Sequence, residues 1–252
     1  MKAKWVQGLL SGALLCGALT TASAVEPVIP LYHADYSLTR NDFVIGTPRF
    51  ELMQDHDGGY IYRSVTLPAG LAKLIAGDTV ITETSRFKMT DGKAVPLEYS
   101  YLQTSGSGDK RKTDHSEVIQ FDWAKGLAHS DDDGRKQNTK LRPNMYDVFL
   151  IRLVLPLDAA ANRLATGYSV LDHREVVSYS LKKLSDTTLK TDAGQFNTEV
   201  LELRDTGKGL TLTLWLAPKL HYLPVQIQQA QTDKPTFTMV LTEIKFDNKN
   251  SM

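Results

Sequence analysis

The stretch "GLTLTLWL", residues 209–216, sets the reading of this chain, because its large apolar residues fall on every second position. Leu210, Leu212, Leu214 and Leu216 share one face and Thr211 and Thr213 the other, the period of a strand with one buried side. The stretch "VPLEYSYL", residues 95–102, repeats the pattern, with Val95, Leu97, Tyr99 and Tyr101 on one face. Comparable segments run over 32–38, 49–53, 60–67, 80–89, 117–123, 176–181, 196–203, 223–229 and 236–246. Turn residues separate them: Asp57-Gly58-Gly59, Asp91-Gly92, Asp133-Gly134 and Thr206-Gly207-Lys208-Gly209. Strands joined through short turns pair antiparallel. The expected fold class is therefore all-β, mainly antiparallel: a large curved sheet, a barrel or a sandwich.

Two stretches depart from the alternation. In "RPNMYDVFLIRLVLP", residues 142–156, Asn144 is placed to cap a helix, with Asp147 three residues on and a dense apolar run ending at Pro156. It predicts a central, largely buried helix of about three turns. In "PAGLAKLIAGD", residues 68–78, Leu71, Leu74 and Ile75 recur at helical spacing between Gly70 and Gly77. That predicts a short amphipathic helix or lid between two strands. No flexible linker and no internal repeat divides the chain.

The N-terminus has a different character. Lys2 and Lys4 precede an apolar run over 6–19, and Ala22-Ser23-Ala24 closes it with small residues, the three-part pattern of a secretory signal peptide. The run is shorter than the roughly 20 apolar residues of a membrane-spanning helix. Expected are residues 1–24 as a signal peptide cleaved after Ala24, and residues 25–252 as a single β-rich domain in the periplasm, without a transmembrane segment. The single cysteine, Cys16, leaves with the signal peptide; Leu14 and Leu15 stand before it where a lipoprotein signal needs a small residue. A domain without cysteine has no disulfide and must rest on an ordinary core.

The 29 basic and 29 acidic residues become 27 against 29 once Lys2 and Lys4 are removed, a formal charge of −2. Such a balance offers no electrostatic footprint for nucleic acid, and none is expected as a partner.

The landmarks "GLAKLI" (70–75), "ITETSRFKMTDGKAVPLEYSY" (81–101), "IQFDW" (119–123), "YDVFLIRLVL" (146–155), "GQFNTEVLEL" (194–203) and "LTLWLAPKLHYLPVQI" (212–227) follow one another in an order that resembles the domain of unknown function 3108 family of exported bacterial proteins. The similarity covers most of residues 32–246. It implies an exported all-β domain and brings no catalytic residues. The polar stretch "HSDDDGRKQNTK" (129–140) has no counterpart in that pattern.

Motifs for chemistry are sparse. His33, His56, His115, His129, His173 and His221 lack metal-ligand spacing, so no metal and no cofactor are expected. Asp131-Asp132-Asp133-Gly134 lacks the alternating ligands and distal glutamate of a calcium loop and reads as a solvated turn. Asp114-His115-Ser116 sets triad letters side by side, yet successive strand residues face opposite ways. There is no G-x-S-x-G elbow, and no catalytic residue is assigned.

One parity is informative. In "VITETSRFKM" (80–89) the face of Ile81, Phe87 and Met89 also carries Glu83 and Ser85, and an inward carboxylate needs a partner or water. Arg63 shares parity with Ile61, Val65 and Leu67 and is the expected partner of Glu83. With Tyr99, Tyr101 and Trp123 these two make the expected ligand-binding set, mostly apolar walls with a few placed polar groups. The functional expectation is a periplasmic non-catalytic binding or carrier protein for an apolar or lipid-like envelope ligand. The alternatives are an envelope-polymer hydrolase or lyase using carboxylates such as Glu83 and Asp122, or a protein-binding module in envelope assembly with an envelope protein as partner.

Overall fold

The structure, a computed structural model, describes residues 29–205, 207 and 209–247. The signal-peptide pattern, with Cys16 and Ala24, lies outside them. Strands β1 (Tyr32–Arg40), β2 (Phe43–Gln54) and β3 (Tyr60–Pro68) lead to helix α1 (Gly70–Ala76). Strands β4 (Val80–Thr90), β5 (Lys93–Ser105), β6 (Lys112–Asp122), β7 (Leu127–Asp132), β8 (Arg135–Lys140) and β9 (Met145–Asp147) precede helix α2 (Ile151–Ala160). The remainder is β10 (Gly167–Asp172), β11 (Glu175–Lys183), β12 (Thr187–Thr191), β13 (Gly194–Asp205), β14 (Leu210–Ala217), β15 (Leu223–Gln231) and β16 (Phe237–Phe246).

One sheet holds these strands in the order β8-β7-β6-β5-β4-β3-β2-β1-β16-β15-β14-β13-β11-β10-β9, with β12 paired to β13 alone. Every ladder is antiparallel except that between β9 and β10. The result is the mainly antiparallel all-β fold that the alternation and hairpin turns predict; of the curved sheet, barrel and sandwich they leave open, it is a large curved sheet whose end strands β8 and β9 share no ladder among the described residues. Asp91-Gly92 (φ 51° and 74°) and Asp133-Gly134 (φ 49° and 83°) take the left-handed conformations that two-residue hairpin turns demand. The stretch 129–140 is thereby explained: it forms the β7–β8 hairpin.

The core lies on the concave face. Tyr36, Phe50, Tyr62 and Phe149 form a run of ring contacts, with centroids 5.1 Å, 5.8 Å and 4.4 Å apart from one to the next. Phe149, Leu150 and the helix α2 behind them carry the filling of the trough, with Leu150 and Leu155 fully buried. Leu212, Leu214 and Leu216 of β14 are buried as their parity predicts.

Three local expectations are corrected. The central helix begins at Ile151, not near Asn144, whose φ of 53° is unsuited to an N-cap. Met145–Asp147 instead pairs in parallel with Ser169–Leu171. Asp147 Oδ1 still serves the turn that follows, accepting from the Phe149 and Leu150 amides at 3.0 and 2.7 Å. Within β5 a bulge at Leu97 switches faces: Phe87 pairs with Pro96 and Arg86 with Glu98. Ala94 and Pro96 are therefore buried while Val95 and Leu97 are not. Helix α1 forms where its spacing predicts but buries none of its residues; Leu71, Leu74 and Ile75 are 71, 82 and 90 % exposed. It packs on β2 and β3 and covers no part of the cleft described below.

Candidate functional site

Strand alternation in β4 points Glu83, Ser85 and Phe87 into the trough, as parity predicts. Ser85 is fully buried and its Oγ donates to Asp147 Oδ1 at 2.7 Å, tying β4 to β9 across the open side of the sheet. Glu83, one step nearer the rim, lines a cavity of about 270 Å³. Its apolar walls come from Val148, Ile151, Val170, Leu203, Leu210 and Leu212, and its polar groups include Tyr99, Tyr101, Arg152, Asp172, His173 and Gln229. Asp172 and His173 also line a second, more polar concavity of about 450 Å³, with His115, Asp132, Arg135, Arg174 and Glu175. The two adjoin at Asp172 and His173, which line both, so that a mostly apolar cavity lies beside a charged one, together called the cleft below, with the charged part as its mouth.

The partner of Glu83 is Arg152 of α2, whose Nη1 stands 4.0 Å from Glu83 Oε2. Tyr99 OH donates to Glu83 Oε1 at 3.3 Å. Burial, together with the Glu83 charge, holds the Tyr99 hydroxyl well above the usual phenol range. Arg152 also lies 5.9 Å from the Phe149 ring centroid, and its buried Nε has no hydrogen-bond partner. Arg63, expected to pair with Glu83, is exposed on the outer face: it sits opposite Thr84 in the ladder, while Ser64 sits opposite Glu83. Its parity with Ile61 misleads because Tyr62 and Ser64 are the buried residues of β3. Trp123 does not reach the cleft either. It lies beyond β6, donates from Nε1 to the Pro96 carbonyl at 2.7 Å, and lines an outer concavity. Asp122 lines that same concavity, held by the backbone N and Nζ of Lys125 at 3.0 and 2.8 Å. Glu83 and Asp122 thus face different spaces and do not form a carboxylate couple.

The mouth holds groups that the sequence presents as unrelated. His115 Nε2 lies 2.9 Å from Asp132 Oδ1 and 3.6 Å from Asp133 Oδ2. Asp132 Oδ2 accepts from Arg135 Nη2 at 2.8 Å, and Asp133 Oδ1 accepts from the Ser116 amide at 2.8 Å. The hydrogen bond from His115, helped by the Arg135 charge, holds the Asp132 carboxyl below the usual range. Glu117, fully buried, places Oε2 3.0 Å from His173 Nδ1. Burial pushes its carboxyl up, opposed by His173. A signal for Glu117 exists in the sequence: it shares the parity of Ile119 and Phe121. Arg152 and the tip Asp172–Glu175 carry no such signal, because only the tertiary wrap of the sheet brings them here.

The profile of a family described as protein of unknown function (DUF3108) matches residues 32–242. No curated protein matches the chain. A β-barrel-like protein of domain of unknown function DUF1849 from Brucella abortus is similar in structure, with a TM-score of 0.55 at 12 % identity, over 87 % of this chain and 98 % of that one. It shares the fold. An exported-protein candidate with a YmcC-like fold from Bacteroides fragilis aligns over 85 % of this chain and 94 % of its own, at 13 % identity and a TM-score of 0.35. Among the described residues no helix is long and apolar enough to cross a membrane.

Proposed function

The chain belongs to the family of proteins of unknown function DUF3108, a premise that brings no chemistry with it, and we propose that it is an exported, non-catalytic binding protein for an amphiphilic, lipid-like ligand. The observation that carries this reading is the division of the cleft. Six aliphatic side chains wall the first cavity, with Glu83 and Arg152 as polar groups in the same lining, while Asp172 and His173 are shared with the charged concavity beside it, which suits a polar head. Small-molecule sites commonly occupy roughly 300–1,000 Å³ with apolar walls and few polar groups, and the two adjoining concavities, about 270 and 450 Å³, are of that scale. An acyl or isoprenoid tail displaces water from the aliphatic wall at a gain of about 25 cal/mol per Å² of apolar surface buried. The polar groups then fix which end enters first. The N-terminal pattern supports the compartment: periplasm, with cleavage after Ala24.

Native mass spectrometry of the protein isolated from its own envelope fraction tests the reading, together with displacement of a fluorescent fatty acid. A co-purifying lipid mass is expected, together with saturable displacement. Leu212→Trp, which fills the cavity, should abolish both at a stability cost of about 1–3 kcal/mol. Arg63→Ala, on the outer face, should leave both unchanged. No lipid and no displacement by the wild-type protein would sink the proposal.

A further inference from the structure

Among the described residues, His115, Asp132 and Asp133 place three donor atoms within 4.8 Å of one another. We infer that they form a binding site for a first-row divalent cation, of the zinc, cobalt or manganese type, at the mouth of the cleft. The inference does not rest on the lipid reading.

Three features carry it. The first is spacing: metal–nitrogen and metal–oxygen bonds of about 2.0–2.2 Å set adjacent ligand atoms roughly 3.0–3.6 Å apart. His115 Nε2 stands 2.9 Å from Asp132 Oδ1 and 3.6 Å from Asp133 Oδ2. The second is orientation. Each carboxylate has its other oxygen tied down, Asp132 by Arg135 and Asp133 by the Ser116 amide, the arrangement by which outer partners aim metal ligands. The Tyr101 ring, 5.1 Å from the His115 ring, backs the imidazole.

The third is independent of the triad. Glu117 is the ladder partner of Asp132, and only 1 % of its side chain is exposed. Its Oε2 meets His173, whose ring lies 6.1 Å from that of His115, and its Oε1 has no hydrogen-bond partner. A buried carboxylate oxygen without a donor is costly unless the group takes up a proton or a positive charge offsets it. Around this point both guanidinium groups, Arg135 and Arg174, meet Asp132, while Asp133 has only His115 as an ion-pair partner among the described residues, and Glu117 and Asp172 meet His173, so that four carboxylates stand against two fixed positive charges and two imidazoles. With both imidazoles neutral, as metal ligation requires of His115, the fixed charges are outnumbered by carboxylates, and a divalent cation would offset them.

Donor chemistry narrows the ion. One imidazole nitrogen and two carboxylate oxygens, without thiolate, suit zinc, cobalt(II) or manganese(II), whereas calcium asks for six to eight oxygens. Three protein ligands leave further positions open toward the cleft, where water or an oxygen of a bound molecule completes the shell.

The test uses the untagged protein, stripped with chelator and titrated with cobalt(II) and with zinc by calorimetry, the cobalt form also by its visible absorption. One saturable equivalent is expected, with a cobalt band that zinc abolishes. His115→Ala and Asp133→Asn should each weaken binding at least tenfold, while His129→Ala, which removes a half-buried imidazole outside the cluster, should not. Circular dichroism and urea melts establish that each variant folds, and Asp133→Asn keeps the acceptor for the Ser116 amide if His115→Ala does not fold. No saturable binding of either ion would overturn the inference. Binding that survives both substitutions would do the same.

Discussion

At Asp147 a single carboxylate joins three elements. It is fully buried, its Oδ1 accepts from Ser85 of β4 and from the Phe149 and Leu150 amides ahead of α2, and its Oδ2 has no partner. Burial pushes its pKa up from 3.8 to about 6, against the pull of those hydrogen bonds. A raised acid favours the folded state where it is protonated. Its contribution is fully present below about pH 4 and is lost as pH rises through about 6, by at most ~3 kcal/mol. Asn at this position keeps the acceptor and never ionises. Asp147→Asn should therefore match the wild type near pH 4 within about 1 kcal/mol and exceed it at pH 7 by about 1–3 kcal/mol. Urea melts across that range decide it: a variant that declines with pH in parallel with the wild type would show that another group sets the slope.

The two helices behave oppositely although both have apolar residues at helical spacing. Leu150, fully buried at the head of α2, packs in the trough of the sheet, and Leu150→Ala should cost about 2–5 kcal/mol through lost transfer energy and the cavity left behind. Leu74 of α1 is 82 % exposed, and Leu74→Ala should stay within about 0.5 kcal/mol. Equilibrium urea melts of both variants measure the difference, and comparable losses would mean that α1 is packed. Spacing in a sequence defines a helical face without naming what it meets, which is why the lid expected at residues 70–75 is legible as a helix and illegible as an outward-facing one. The same limit applies to strands. The parity of Glu83 and Ser85 was readable because β4 alternates without interruption through both; the faces of Val95 and Leu97 were not, since the bulge at Leu97 is fixed by pairing with Arg86 and Phe87. Glu83 could be read as inward, but its partner could not. Arg152 reaches it from α2 only once Met145–Asp147 has paired with β10, a ladder between segments separated by the whole of that helix.

At the scale of the molecule, the sheet is held by continuous backbone ladders from β8 round to β9, and what remains between its two ends is bridged by side chains. Ser85 Oγ to Asp147, Gln137 Nε2 to the Arg174 carbonyl at 2.7 Å, and His173 to Glu117 span that gap. Backbone ladders open cooperatively, whereas a seam of isolated side-chain bonds opens locally at lower cost. Both concavities meet this seam at the β10–β11 tip, where Asp172 and His173 line the two and His173 pairs with Glu117. Opening there should expose the aliphatic wall without dismantling the sheet. Each such hydrogen bond contributes about 0.5–1.5 kcal/mol, so the double variant Ser85→Ala/Gln137→Ala should lower the opening free energy by about 1–3 kcal/mol. Amide exchange of residues 145–147 and 169–171 should then accelerate by roughly ten- to a hundredfold, at about 1.4 kcal/mol per decade, while the amides of Leu201 and Leu214 in the central β13–β14 ladder hold their rates. Equal acceleration in both regions would mean that the molecule opens as one cooperative unit, and the seam would lose its standing as the way into the cleft.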